Sequence, residues 1–372
     1  MTTGQDVRIL FDMYELSPSS GKSIGIYVYA VGLLKALCNA MPVGMTLVVV
    51  CHGDNLSDLQ GIAGPNCELV CVQNRHPGLL QRQWWWRWGA KHLAKRLGCA
   101  AYFSPKGFMP GWWGRCRGLK TCVVVHDLIP LWYERHHPSQ FGWLERRLVN
   151  QGLLRTCRYA DEVIAISHAT ADDIRARSGR AANVTVIHNG LEQAPVPVET
   201  SSRGPYILAM SSDLPHKNAA TLLEGYRQYR QMDSGALPLV VCGMSGDAPE
   251  GVRFVRGLSR EALFGLYRGA EIFVYLSRAE GFGYPPLEAM QMGCLSICSD
   301  LPVLRETTQS KAIFVDPLNP TQLAKAIYRC LGADFLQEKK ALQAQLQSVV
   351  QGYDFALTAK GVASVLAHWQ ER

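Results

Sequence analysis

The sequence predicts an α/β protein made of two parallel-sheet units, and three observations point to it. Short apolar runs of strand type alternate with helical stretches along the chain, the pattern of sheets whose strands are joined by crossing helices. The alternation breaks once, at 195–205, where Pro195, Pro197, Ser201, Ser202 and Pro205 leave no periodicity, so this stretch reads as a linker. A chain of 372 residues also exceeds the roughly 250–300 at which a single core stops growing.

In order, the runs 7–11, 47–51, 101–104, 121–125, 162–166 and 184–187 are expected to form the first sheet. A second series follows the linker at 206–210, 239–242, 253–255, 272–276, 295–298 and 313–315. A last helix carries Phe355, Val362, Val365 and Trp369 on one apolar stripe. There is no internal repeat and no low-complexity tract.

Composition is that of an ordinary globular chain, with 48% hydrophobic and 19% charged residues. Twelve cysteines are scattered without a C-x-x-C pair, and no signal peptide is read, which favours a reduced cytosolic setting. Cys51, Cys71, Cys242, Cys294 and Cys298 lie near apolar runs and are expected to be small core residues rather than metal ligands. No apolar run is long enough to cross a bilayer. No Gly-x-Gly-x-x-Gly follows the first strand, which argues against a nicotinamide dehydrogenase.

The stretch richest in chemistry is 277–288, Ser-Arg-Ala-Glu-Gly-Phe-Gly-Tyr-Pro-Pro-Leu-Glu. It follows a strand, turns at Gly281 and Gly283, and starts a helix at Pro285 or Pro286, where a missing N–H costs nothing. Amides of 281–284 and the helix dipole would favour an anion such as a nucleotide diphosphate. Glu280 and Glu288 cannot hold phosphate, so each is expected to accept hydrogen bonds from hydroxyls, one set on a sugar and one on a ribose. Two carboxylates alone could equally be a solvated face; the Gly-Phe-Gly-Tyr-Pro-Pro between them favours a pocket.

This segment resembles the E-x7-E signature of retaining glycosyltransferases of family 4. Four further elements match in the family's order. His216-Lys217-Asn218 is similar to its Arg-Lys-Asn element; 258–267 with 270–277 is similar to the helix and strand before the signature; 123–130, Val-Val-Val-His-Asp-Leu-Ile-Pro, resembles its His-Asp strand end; and 23–27, Ser-Ile-Gly-Ile-Tyr, resembles its N-terminal Gly-rich loop. The resemblance implies the GT-B fold, two Rossmann-like doubly wound domains facing a central cleft. Residues 1–198 would form the acceptor-binding domain, 199–352 the nucleotide-sugar domain, and 353–372 a helix crossing back to the first.

The same resemblance implies roles. Lys217 would contact the donor diphosphate, His126 the transferred sugar, Glu280 the donor hydroxyls and Glu288 the ribose, with Gly281, Phe282 and Gly283 around the donor. Asp127 would orient its loop. Gly25 would lie by the phosphate or the acceptor. Transfer would retain anomeric configuration, with the leaving phosphate helping to deprotonate the acceptor, and neither cofactor nor metal is expected, there being no Asp-x-Asp. Two departures stand out. Ser211 occupies the place, six residues before Lys217, where relatives carry an arginine, and His216 is expected to compensate in part. Ser23 and Ile24 stand before a single Gly25 where many relatives have paired glycines.

The loop, strand end and His-Lys-Asn element look most like bacterial mannosyltransferases that use GDP sugars, so GDP-mannose is the expected donor, with UDP sugars as the alternative. Base contacts are expected near Arg256-Gly257-Leu258. In 82–97, a helix at 100° per residue puts Trp86, Ala90, Leu93 and Leu97 on one side and Trp84, Trp88, Arg87, Lys91 and Lys95 on the other. The first suits a core. The second, extended by Trp112, Trp113, Arg115, Arg117 and Lys120, suits anionic lipid, in keeping with a net charge of +7, unless the tryptophans pack beneath loops. No nucleic-acid motif accompanies it, and nucleic acid is not an expected partner. A cytoplasmic enzyme peripheral to the inner face of the membrane, acting on a lipid-linked oligosaccharide, lipopolysaccharide or polysaccharide precursor, follows as the expectation. A nucleotide-sugar epimerase and, because of Ser211, a non-catalytic scaffold are the competing classes.

Overall fold

A computed structural model describes residues 6–18, 24–62, 64–111, 113–179, 184–196 and 204–369. The chain divides into two compact units. Unit 1 takes the residues up to Gly190 and those from Tyr353 onward; unit 2 is Leu191–Gly352. The boundary expected at 198/199 falls in 197–203, outside the described residues.

Unit 1 is built on seven parallel strands: β1 (Val7–Asp12), β2 (Met45–Cys51), β3 (Cys67–Cys71), β4 (Ala101–Ser104), β5 (Lys120–Val125), β6 (Glu162–Ala165) and β7 (Val184–Val186). Their order is β3-β2-β1-β4-β5-β6-β7. Six were expected, and β3 is the addition. It pairs in register with β2, Leu47 beside Cys67 and Cys51 beside Cys71. As an edge strand it is only partly covered, so it lacks the continuous apolar run of its neighbours, and Cys71 is exposed rather than a core residue. The other four cysteines named above are buried.

Unit 2 holds β8 (Ile207–Met210), β9 (Leu239–Cys242), β10 (Val252–Val255), β11 (Ile272–Tyr275), β12 (Ser296–Ser299) and β13 (Ile313–Val315), ordered β10-β9-β8-β11-β12-β13. All six match the expected runs, and both sheets are Rossmann-like. β8, β9, β11 and β12 bury nearly every side chain, because helices cover both faces of a parallel sheet.

The helix Phe355–Ala367 packs within unit 1 on the helix Ile24–Ala40. Gly32 makes room: a Cβ there would lie 2.5 Å from the Phe355 ring. Thr358 Oγ1 donates to His188 O at 2.9 Å, and Val362 and Leu366 are fully buried. Each such aliphatic contributes about 1.5–3 kcal/mol by leaving water. Trp369 lies beyond the helix.

The tryptophan-rich segment departs from the expected single helix. Leu79–Trp84 and Ala90–Arg96 are α-helical, but Trp85–Gly89 forms a π turn, with Ala90 N bonded to Trp85 O. The extra residue rotates the register, so Trp85 becomes the buried one while Trp86 is half-buried. Trp84, Trp88, Lys91 and Lys95 are exposed, as is Trp113; Trp112 lies outside the described residues.

Candidate active site

In both sheets the strand order reverses beside the first strand of the series, between β1 and β4 and between β8 and β11. Ligands of doubly wound sheets gather at the carboxyl ends of such strand pairs. In unit 2 those ends carry Lys217, after β8, and Glu280, after β11.

Local sequence sets this geometry. Pro215–Lys217 is one 3-10 turn, and Asn218 follows in the left-handed conformation, φ 58°, which asparagine tolerates better than most residues. The Asn218 amide donates to Leu276 O at 3.1 Å and to Pro317 O at 2.6 Å. Arg278 N donates to His216 O at 2.7 Å. These bonds tie the turn to the end of β11. Ser211, where an arginine was expected, donates from Oγ to Lys217 O at 2.9 Å, so it braces the same turn without adding charge.

Lys217 Nζ donates to Glu280 Oε1 at 2.5 Å and to the Tyr275 hydroxyl at 2.9 Å, and Tyr275 itself donates to Glu280 Oε1 at 2.5 Å. Burial alone would lower the ammonium pKa, but Tyr275 and Glu280 outweigh it and hold Lys217 well above its ordinary value. Burial likewise pushes Glu280 up, and Lys217 more than reverses this, leaving the carboxylate ionised. Two of the three ammonium protons are occupied, so one remains for a phosphate oxygen.

The remaining groups sit along the helix Tyr284–Gln291 and before it. Gly283 has φ +88°, and a Cβ there would lie 2.5 Å from Leu304, so only glycine fits this turn. Phe282 is buried, and the helix begins at Tyr284, one residue before the expected start, with Pro285 in its first turn. Glu288 belongs to a separate cluster. Tyr267 donates to its Oε2 at 3.2 Å, and Arg260 lies 3.7 Å from Oε1 and 3.4 Å from Glu192. Burial raises the Glu288 carboxyl despite Arg260 and Tyr267. The two glutamates are thus driven in opposite directions, one toward the anion and one toward the acid.

His216 corrects an expectation. It is buried, and burial with the neighbouring Lys217 charge pushes its pKa down to about 4, so it is neutral near pH 7 and cannot stand in for the missing arginine.

In unit 1, His126 follows β5, its ring edge-on to Tyr29 at 4.8 Å. Burial pushes it down to about 4, with the Pro105 carbonyl opposing. Because Pro105 O can only accept, Nε2 donates that 2.7 Å bond, which makes Nδ1 an acceptor. Asp127 Oδ1 accepts from Ile129 N at 2.9 Å, closing the turn into the helix Ile129–His136. Gly25 lies in the first turn of the helix Ile24–Ala40, with open space where a Cβ would stand; Ser23 lies outside the described residues.

Sequence reasoning missed three features. Tyr275 bridges Lys217 and Glu280. Arg260 faces Glu288. At the β1–β4 ends, Glu15 pairs with Lys106 at 2.9 Å, and Asp12 accepts from Trp85 Nε1 at 2.9 Å and from Tyr102. Glu15 is buried with Oε1 unbonded, and burial raises its pKa to about 7 despite Lys106. A carboxylate just after the first strand was the available signal; its lysine partner, 91 residues away, had none.

Paired Rossmann-like units with a lysine and a carboxylate at one strand crossover describe a GT-B nucleotide-sugar transferase fold. The chain matches the family model described as Glycosyltransferase Family 4 over residues 25–194 and that described as Glycosyl transferases group 1 over 193–345. It belongs to glycosyltransferase family 4 and is akin to bacterial mannosyltransferases. The O-antigen chain mannosyltransferase RfbU of Salmonella typhimurium is 27% identical over 208 residues, 52% of this chain and 56% of that protein. The GDP-mannose:cellobiosyl-diphosphopolyprenol alpha-mannosyltransferase of Komagataeibacter xylinus is 28% identical over 212 residues, 52% and 53%. The chain thus spans about half the length of these relatives. Among solved structures, sucrose-phosphate synthase from Thermosynechococcus elongatus superposes with a TM-score of 0.71 at 18% identity, covering 98% of this chain and 99% of that one. That likeness concerns the fold alone.

Proposed function

We propose that this protein is a retaining hexosyltransferase that moves mannose from GDP-mannose to a hydroxyl of a lipid-linked oligosaccharide or polysaccharide precursor. The observation that carries the reading is the Lys217–Tyr275–Glu280 triad at the β8–β11 crossover, a cation and a carboxylate fixed by one tyrosine.

In this reading the spare Lys217 proton meets the diphosphate and stabilises charge that develops on the leaving nucleotide. Glu280 accepts from hydroxyls of the sugar through its second oxygen. Glu288, with Tyr267 and Arg260 around it, takes the ribose hydroxyls. Gly281, Phe282 and Gly283 form the donor turn, and Gly25 leaves its backbone approachable in unit 1. His126 offers Nδ1 to a hydroxyl of the transferred sugar. Lysine and helix amides take the place of a metal, so no metal or cofactor is needed.

The donor and acceptor are inferred from the relatives, both mannosyltransferases, one using GDP-mannose and a cellobiosyl-diphosphopolyprenol acceptor. Trp84, Trp88, Lys91 and Lys95, all exposed on one segment, support peripheral contact with anionic lipid on the cytoplasmic face. Among the described residues no helix is long and apolar enough to cross a membrane.

The test is nucleotide release by the purified protein from GDP-mannose, GDP-fucose, UDP-glucose, UDP-galactose and UDP-N-acetylglucosamine, with and without EDTA. GDP release from GDP-mannose that persists in EDTA is expected. Release from a UDP sugar alone would refute the donor, and loss in EDTA the metal-free scheme.

A further inference from the structure

Unit 1 carries a concavity that donor chemistry does not use. It encloses about 620 Å³ and is lined by Arg87, Arg147, Arg155, Arg158 and Arg177, with no carboxylate among its described lining residues; behind the lining, Asp173 lies 4.0 Å from Arg177. An adjoining hollow of about 820 Å³ adds Lys91, Arg115 and Arg117. Arg147, Arg158 and Arg177 are exposed, while Arg87 and Arg155 are half-buried. Cations that outnumber their anionic partners repel one another, and a bound anion relieves that repulsion. Guanidinium forks suit phosphate in particular, because they offer paired donors to paired oxygens.

The groove is built by unusual backbone. The π turn at Trp85–Gly89 releases the Trp86 carbonyl, which accepts from Gly111 N at 2.7 Å. Gly111 has φ +108°, and a Cβ there would lie 2.8 Å from Arg155 Nη2. Arg155 donates from Nη1 to Met109 O at 3.2 Å and from Nη2 to Pro110 O at 3.0 Å, and its buried Nε has no acceptor. The chain therefore wraps one guanidinium into a fixed place and leaves a donor unspent. π turns of this kind concentrate at functional sites.

The walls are apolar. Trp86 stacks on Phe108 with ring centres 4.6 Å apart, Leu148 and Leu154 line the same concavity, and Trp113 at its edge is 85% exposed. We propose that this groove binds a diphosphate borne on an apolar chain, the arginines taking the phosphates and the aromatic wall the tail. The assignment of that ligand to the acceptor's lipid carrier rests on the transferase reading above; the binding itself does not.

The experiment is equilibrium binding of farnesyl diphosphate and of inorganic pyrophosphate to the full chain, read by tryptophan fluorescence, in the unaltered protein and in R147E/R177E. The expected result is farnesyl diphosphate bound at least tenfold more tightly than pyrophosphate, with both weakened more than tenfold in the variant at an unchanged melting temperature. If the charge reversal lowers that temperature, R147Q/R177Q serves instead. Failure of both ligands to bind, or undiminished binding by the variant, overturns the site. Equal affinities overturn the lipid source and leave a free diphosphate. Nucleotide release by the unaltered protein, measured alongside, judges the transferase reading separately: silence there with binding intact sinks that reading and not the groove.

Discussion

Replacing Lys217 by methionine keeps the unbranched apolar stem and removes only the terminal ammonium, which isolates what that charge does. In the native protein it lies 2.5 Å from Glu280 Oε1, with side chains 25% and 11% exposed. Breaking a buried ion pair by removing one partner costs about 3–5 kcal/mol, and partial access of water to the lysine brings the expectation to about 2–3 kcal/mol. For a unit of this size that is a fall in melting temperature of roughly 4–12 °C. E280Q should cost a similar amount, and K217M/E280Q less than the sum, with a coupling above about 1 kcal/mol.

The pH dependence makes the cause visible. In the native protein Glu280 is depressed by Lys217, so its stabilisation is present above the unfolded carboxyl pKa of about 4.3 and is lost as pH falls through the lower folded value. In K217M only burial and neutral partners act, the folded pKa rises, and the sign reverses: stability falls as pH climbs above about 4.3. Chemical denaturation between pH 3 and 8 reads both slopes. Nucleotide release should drop more than tenfold in K217M. Additive costs in the double variant, or parallel pH slopes in K217M and the native protein, would refute the triad.

Three further outcomes are expected. G283A must place a Cβ 2.5 Å from Leu304 at a φ of +88°, so it should lose about 1–3 kcal/mol and weaken donor binding; a native melting curve would mean the turn has another conformation. Glu15, raised to about 7, keeps its proton in the folded state at pH values where the unfolded chain has lost it, so stability falls from about pH 4.3 to about 7. E15Q should flatten that window, and an unchanged slope would assign the titration elsewhere. W84A/W88A/K91E/K95E should abolish cosedimentation with anionic vesicles at low salt; native binding to such vesicles by the variant would place the lipid contact on another surface.

Much of the donor site was legible because its pieces are local. Gly281, Gly283 and the prolines state the turn and helix start in adjacent positions. Strands buried on both faces declare themselves as apolar runs, which is why β8, β9, β11 and β12 were readable. β3 was not, since an edge strand with Glu68 and Cys71 exposed has no such run.

By itself, then, the sequence determined two α/β units, every strand within them but β3, the turn chemistry around Glu280 and a family likeness. Tertiary structure alone decided who meets whom. Lys217 and Glu280 are 63 residues apart, and only the β8–β11 neighbourhood gives them a common partner in Tyr275. Sheet order brought Glu15 to Lys106, and burial made His216 neutral where a cation was expected. A π turn changed which tryptophan faces the core, because 100° periodicity assumes an unbroken ladder. Charge and burial are properties of surroundings, and in a parallel sheet those surroundings are supplied by strands distant in sequence.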